Sequence, residues 1–157
     1  MIQVSLPGRD TTLQLDYLLL DGNGTLTLDG VLLGGIKERI ETLKEKLSIY
    51  LLTADTFGSG EAVAQDLGID YFKVSPVHGA GDKRDFMHNL GARRCATIGN
   101  GFNDTLMLEQ AGLSIIVVGK EGCSGKALAR SDIVVNDICD ALDLLINPLR
   151  LVATLRG

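Results

Sequence analysis

The sequence predicts an α/β fold in three layers, a doubly wound parallel sheet with helices on both faces. Residues 17–20, Tyr-Leu-Leu-Leu, form an apolar run without polar alternation and end at once in Asp21 and a glycine-punctuated turn. A strand of that kind is covered on both sides, as in parallel sheets. Further short apolar runs at 48–52, 71–74, 95–98, 114–118 and 132–135 are separated by segments of helical spacing. Strands that alternate with helices give a parallel, Rossmann-like sheet, because each parallel connection needs a crossover. Such sheets bind ligands beyond the carboxyl ends of their strands, which is where Asp21 stands.

The chain has 157 residues, 45% of them hydrophobic, enough for one domain with a real core. Fifteen basic against twenty acidic side chains leave a formal charge of -5, and no basic run stands out. Nucleic acid and anionic membranes are therefore poor partners. Residues 1–8 lack a basic segment followed by an apolar core, and no apolar run reaches about 18 residues, so a soluble cytoplasmic protein is expected. Three cysteines without a CxxC suggest neither a disulfide framework nor a zinc site.

In order, residues 2–6 and 13–15 alternate apolar and polar around the turn Pro7-Gly8-Arg9-Asp10, an edge hairpin (1–16) leading into the central strand. Asp29-Gly30 separates two short apolar pieces and marks a hairpin (24–34) standing over Asp21 as a flap. Ile36, Ile40, Leu43 and Leu47 lie at helical spacing and make the first crossover helix. The strand at 48–52 ends in Thr53-Ala54, a helix follows at about 60–67, and Lys83 opens the next helix after the loop with Pro76, Gly79 and Gly81. The strand 95–98 ends in Gly99-Asn100-Gly101-Phe102-Asn103-Asp104 and a helix. The helical tail (137–157) closes with an amphipathic piece, 149–155, that packs either on its own domain or on a second subunit of a homo-oligomer. His78 and His88 join no ligand-spaced cluster, and the glycines of 119–126 lack the residues of a P-loop.

Successive strand ends thus carry Asp21, Thr53, Lys83 by way of a loop, and the turn from Asn100 to Asp104. These are the parts of a phosphoryl-transfer site. A carboxylate can attack phosphorus and split one displacement into two. Thr53 and Lys83 can hold the phosphoryl oxygens and offset their charge. Asp21, Asn100 and Asp104, with a main-chain oxygen from the Asn23 turn, are hard ligands that suit Mg²⁺.

The series resembles the haloacid dehalogenase superfamily of aspartate-nucleophile phosphatases and P-type ATPase phosphorylation domains. Asp21-Gly22-Asn23-Gly24-Thr25-Leu26-Thr27 is similar to its first motif, DxDGTLT in phosphatases and DKTGTLT in the pumps. Thr53 matches the second-motif hydroxyl, Lys83 the third-motif lysine, and Gly99 to Asp104 the fourth motif GDGxND. The likeness spans roughly 17–135 and points to the small soluble P-type ATPase-like proteins. It implies an aspartyl-phosphate on Asp21, Asn23 in the catalytic set, Mg²⁺ held by Asp21, Asn23, Asn100 and Asp104, and phosphate held by Gly22, Thr53, Ala54, Lys83 and Asn103. It also implies a domain without the large cap of many relatives, since neither 27–48 nor 53–83 has room for one.

Two departures bear on activity. Asn23 stands where the family's phosphatases carry their general acid and base, and an amide cannot move that proton at neutral pH. Asn100 replaces a usual metal-binding acid with a neutral oxygen. The expected activity is a slow Mg²⁺-dependent phosphomonoesterase acting on a phosphorylated substrate of unknown identity. The alternative is a catalytically weak module that binds Mg²⁺ and phosphate. A receiver domain does not fit, because it needs an acidic pair after the first strand and its acceptor after the third.

Overall fold

The computed structural model describes residues 1–157. The chain runs β1 (Ile2–Leu6), β2 (Thr11–Leu15), β3 (Tyr17–Asp21), β4 (Thr27–Leu28), β5 (Val31–Leu32), α1 (Ile36–Lys44), β6 (Ser48–Thr53), α2 (Gly60–Leu67) and β7 (Asp70–Lys73). It continues α3 (Gly79–Leu90), β8 (Cys95–Gly99), α4 (Thr105–Gln110), β9 (Leu113–Val117), α5 (Gly125–Leu128), β10 (Ile133–Val135), α6 (Ile138–Ile146) and α7 (Leu149–Leu155). Six strands form one parallel sheet in the order β10-β9-β8-β3-β6-β7. Leu20 of β3 lies between Leu51 of β6 and Ile98 of β8.

The apolar run of β3 is explained by burial on both faces. Leu18 and Leu20 belong to a core of 28 residues with Ile40 of α1 and Leu142 of α6, whereas Leu19 points the other way, among Leu52, Met87, Cys95 and Met107. This is the expected three-layer α/β architecture. Helix α1 buries Ile36, Ile40 and Leu43, and α2 stops at Gly68, whose φ of 63° turns its amide back onto the carbonyls of Ala64 and Gln65.

Two local expectations are corrected, and of the two placements open to the tail piece one is met. The 1–16 hairpin forms, but β1 and β2 pair only with each other and not with the edge of the main sheet. Its alternation gives it one apolar face, Ile2, Val4, Leu6, Leu13 and Leu15, which is buried in the larger core instead. Helix α3 begins at Gly79, so Lys83 sits in its second turn rather than opening it. The tail piece packs on its own domain: α7 lies beside β1 with Leu151 buried, Arg9 Nη1 donates to the Leu155 carbonyl at 3.0 Å, and the Gly157 amide donates to the Pro7 carbonyl at 2.9 Å. Of its apolar residues Leu149 is left 83% exposed.

Between β3 and α1 the chain inserts only the β4–β5 hairpin. Asp29 and Gly30 both have positive φ, 53° and 80°, as a two-residue turn matched to strand twist requires. A side chain at Gly30 would crowd Phe57 in the loop after β6, so the flap leans on that loop. No helix is long and apolar enough to cross a membrane.

Candidate active site

β3 is the first strand of the sheet in sequence, and its neighbours lie on opposite sides: β6 and β7 one way, β8 to β10 the other. The carboxyl ends of β3, β6 and β8 therefore meet where the winding reverses, the usual place for a ligand in such sheets. Asp21, Thr53 and Asn100 end or follow these strands, and α3 delivers Lys83 from one face.

Lys83 is the organising side chain. It is fully buried, and its Nζ donates to Asp21 Oδ1 at 2.6 Å and to Asp104 Oδ1 at 2.7 Å. Asp104 is fixed from the other side, since its Oδ2 accepts the main-chain N–H groups of Asn100 and Gly101, each at 3.0 Å. That turn leaves no space for a side chain at Gly99, where a Cβ would collide with the Asp104 carboxylate. Burial, and next to it the Asp104 carboxylate, push the Asp21 pKa up to about 6 against the lowering pull of Lys83. Burial opposes the Lys83 charge, but Asp104 and Asp21 outweigh it and hold the ammonium above its ordinary pKa.

A second convergence involves Thr25, whose Oγ1 lies 3.3 Å from both Asp21 Oδ2 and Asn100 Oδ1. One hydroxyl proton cannot serve both oxygens at once. Two hard oxygens from neighbouring strand ends thus face one point with a single donor between them, a donor set that fits a small hard cation such as Mg²⁺. Asp104 stands behind this pair, its Oδ1 on Lys83 and its Oδ2 on the Asn100 and Gly101 amides.

Thr53 is buried against Gly22: a Cβ on Gly22 would lie 3.0 Å from Thr53 Oγ1 and 3.1 Å from its Cβ. Thr53 Oγ1 accepts the Asp55 amide at 3.0 Å, while the amides of Asn23 and Ala54 donate to no protein oxygen. Asn103 reaches toward the start of α3, its Nδ2 3.6 Å from where a Cβ on Gly79 would stand. Asn23 Oδ1 accepts from Thr27 Oγ1 at 3.4 Å and so faces the flap. A cavity of about 190 Å³ opens beside Thr25, between the flap and the ends of β9 and β10. His78 and His88 are exposed, and burial pushes the Cys95 thiol up to about 12, which leaves it unreactive.

The structure thus gathers Asp21, Lys83, Asn100 and Asp104 through direct contacts, with Thr53 alongside through Gly22 and Ala54 next to it in sequence. Sequence reasoning missed two neighbours of these residues. Thr25 lies inside the first motif, yet only the pairing of β3 with β8 reveals its position between Asp21 and Asn100. Glu121, on the loop after β9, carried no local signal at all, because its approach to Gly24 depends on strand order.

No protein-family model matches the chain. Among curated proteins, the uncharacterized protein MJ0073 of Methanocaldococcus jannaschii is 55% identical over 64 residues, 41% of this chain and 69% of that protein. The uncharacterized protein MJ0072 of the same organism is 54% identical over 39 residues, 25% of this chain and 89% of that protein. Among solved structures, the cobalt-bound deoxy-D-mannose-octulosonate 8-phosphate phosphatase of Haemophilus influenzae superposes with a TM-score of 0.72 at 17% identity, covering 89% of this chain and 92% of that one. The corresponding phosphatase of Moraxella catarrhalis, in complex with magnesium, phosphate and KDO, gives 0.69 at 18%, covering 88% and 90%. A phospho-aspartyl intermediate analogue of phosphoserine phosphatase gives 0.69 at 13%, covering 84% and 99%. At these identities the likeness establishes the fold.

Proposed function

We propose, for a chain that belongs to the same family as MJ0073 and MJ0072 and has the haloacid dehalogenase fold, a Mg²⁺-dependent phosphomonoesterase activity that proceeds through an aspartyl-phosphate on Asp21. The observation that carries this reading is the buried Lys83 ammonium bridging Asp21 and Asp104 at the carboxyl edge of the sheet. The named substrates of the structural neighbours, a sugar-acid 8-phosphate and phosphoserine, have the phosphomonoester group in common.

In the first half-reaction a carboxylate oxygen of Asp21 bonds to phosphorus as the ester P–O bond breaks. The leaving alkoxide takes its proton from solvent, because the Asn23 amide has no acidic proton to give. Lys83, the Thr53 hydroxyl, the free Ala54 amide and the Asn103 amide hold the phosphoryl oxygens while charge is redistributed. In the second half-reaction water attacks phosphorus, the bond to Asp21 breaks and the carboxylate is restored. Asn23 cannot accept the proton of that water, so the second step is the slow one. Asp21, Asn100 and the Asn23 main-chain oxygen would hold Mg²⁺, with Asp104 behind them. Bound there, Mg²⁺ would neutralise charge on the phosphoryl group. Asp104 keeps Lys83 and the Asn100 turn in place.

Hydrolysis of an aryl phosphate, with Mg²⁺ and with EDTA, for wild type and Asp21→Asn, tests the proposal. Activity that needs both Mg²⁺ and Asp21 supports it, and undiminished activity in Asp21→Asn overturns it. A second reading, a regulatory module that binds Mg²⁺ and phosphate without turnover, is favoured by the amides at positions 23 and 100. It takes over if phosphate and Mg²⁺ bind but no ester is cleaved.

A further inference from the structure

We infer that Glu121 is a cation-binding residue of the Asp21 site and carries the negative charge that Asn100 does not. The inference rests on the Mg²⁺ site proposed above. Within the buried part of that site, Asp21 and Asp104 carry two negative charges and Lys83 one positive. A dication there would meet a net charge of only -1, with Asn100 adding a neutral oxygen.

The turn that carries Glu121 is built onto this site. Gly119 and Gly122 bridge to each other, and the Gly122 amide closes the turn on the Gly119 carbonyl at 2.9 Å with Gly122 at a φ of 71°. Asn100 clamps the same turn twice: its carbonyl accepts the Ser124 amide at 2.8 Å, and its Nδ2 approaches the Gly122 carbonyl at 3.5 Å. A Cβ on Gly119 would sit 3.6 Å from the Gly24 carbonyl oxygen, so the turn also packs on the loop after Asp21.

The side chains converge at Gly24. A Cβ placed there would collide with both the Asn100 amide nitrogen and a Glu121 carboxylate oxygen, so the two groups meet over one glycine, next to Asn23. Gly24 has a φ of 76°, and its bare α-carbon is what lets the carboxylate come this close. Glu121 makes no hydrogen bond and no ion pair within the protein, although Lys120 is its neighbour in sequence. It is an exposed carboxylate without a partner, standing beside the amide that replaces an acid. A hard anionic oxygen in that place raises affinity for a divalent cation by adding charge to the ligand set.

The test is Mg²⁺ titration by calorimetry, without substrate, on wild type, Glu121→Gln, Asn100→Asp, the double variant, and Glu38→Gln as an exposed acid on α1. Glu121→Gln is expected to weaken Mg²⁺ binding about 10-fold or more, the size of effect seen when a supporting residue of a metal site is lost. Glu38→Gln is expected to leave it unchanged. In the Asn100→Asp background, removal of the Glu121 charge is expected to cost far less, because position 100 then supplies an acid. Equal affinity of wild type and Glu121→Gln overturns the role of Glu121 while leaving the Mg²⁺ site intact. Absence of Mg²⁺ binding in wild type and Asn100→Asp alike overturns the metal reading itself and this inference with it.

Discussion

Lys83 Nζ lies 2.6 Å from Asp21 Oδ1 with no solvent at the ammonium, and the same nitrogen holds Asp104 at 2.7 Å. Two carboxylates and one ammonium are therefore balanced inside the protein, and the balance fails if the cation is removed. Breaking a buried pair by deleting one partner costs about 3–5 kcal/mol. Lys83→Met is expected to destabilise the fold by about that much near neutral pH and to recover part of it in acid, as Asp21 protonates. Urea unfolding at two pH values measures this, and a variant as stable as wild type at neutral pH contradicts it.

Asp21 has the opposite sign. Its folded pKa of about 6 lies above the ordinary carboxylate value of 3.8, so the folded state binds the proton more tightly. The stabilisation this gives is complete below the unfolded pKa and is lost as pH rises through about 6. At neutral pH the metal-free protein bears the cost of a buried, ionised Asp21, on the order of 3 kcal/mol at about 1.4 kcal/mol per pH unit. Asp21→Asn cannot ionise and is expected to unfold at higher temperature than wild type in EDTA near pH 7, with a smaller advantage near pH 4. A constant difference across that range would contradict the assignment.

The fold was legible because its determinants are local. The unalternated leucines of β3, the helical spacing of α1 and the glycine turns recur in order, and burial on two faces accounts for each. Asp21, Thr53 and the Asn100 turn were legible as strand ends, since a parallel sheet brings all such ends to one edge. What escaped depends on which strands are neighbours. The hairpin of β1 and β2 has the pattern of an edge strand pair, and only tertiary packing decides that its apolar face turns onto the core. Thr25 and Glu121 reach Asn100 and Gly24 across strand pairings that no local spacing encodes.

Asn23 faces the flap through Thr27 and has no proton to exchange. A lost general base lowers rates by about 10²–10⁴, so Asn23→Asp is expected to raise steady-state turnover of an activated aryl phosphate toward that range. The comparison belongs at saturating Mg²⁺, so that an effect of Asn100 on metal affinity does not enter. Unchanged turnover, with no phosphoenzyme trapped in wild type, would mean that another group supplies the base.

The central claim is that Asp21 is the nucleophile. Its most direct test is acid-quenched labelling of the Mg²⁺-loaded protein with radiolabelled acetyl phosphate, followed by mapping of the labelled peptide. The expected result is label on the peptide that contains Asp21, persisting longer in wild type than in Asn23→Asp, and none in Asp21→Asn. Label of equal amount in Asp21→Asn, or on a peptide elsewhere in the chain, would contradict it.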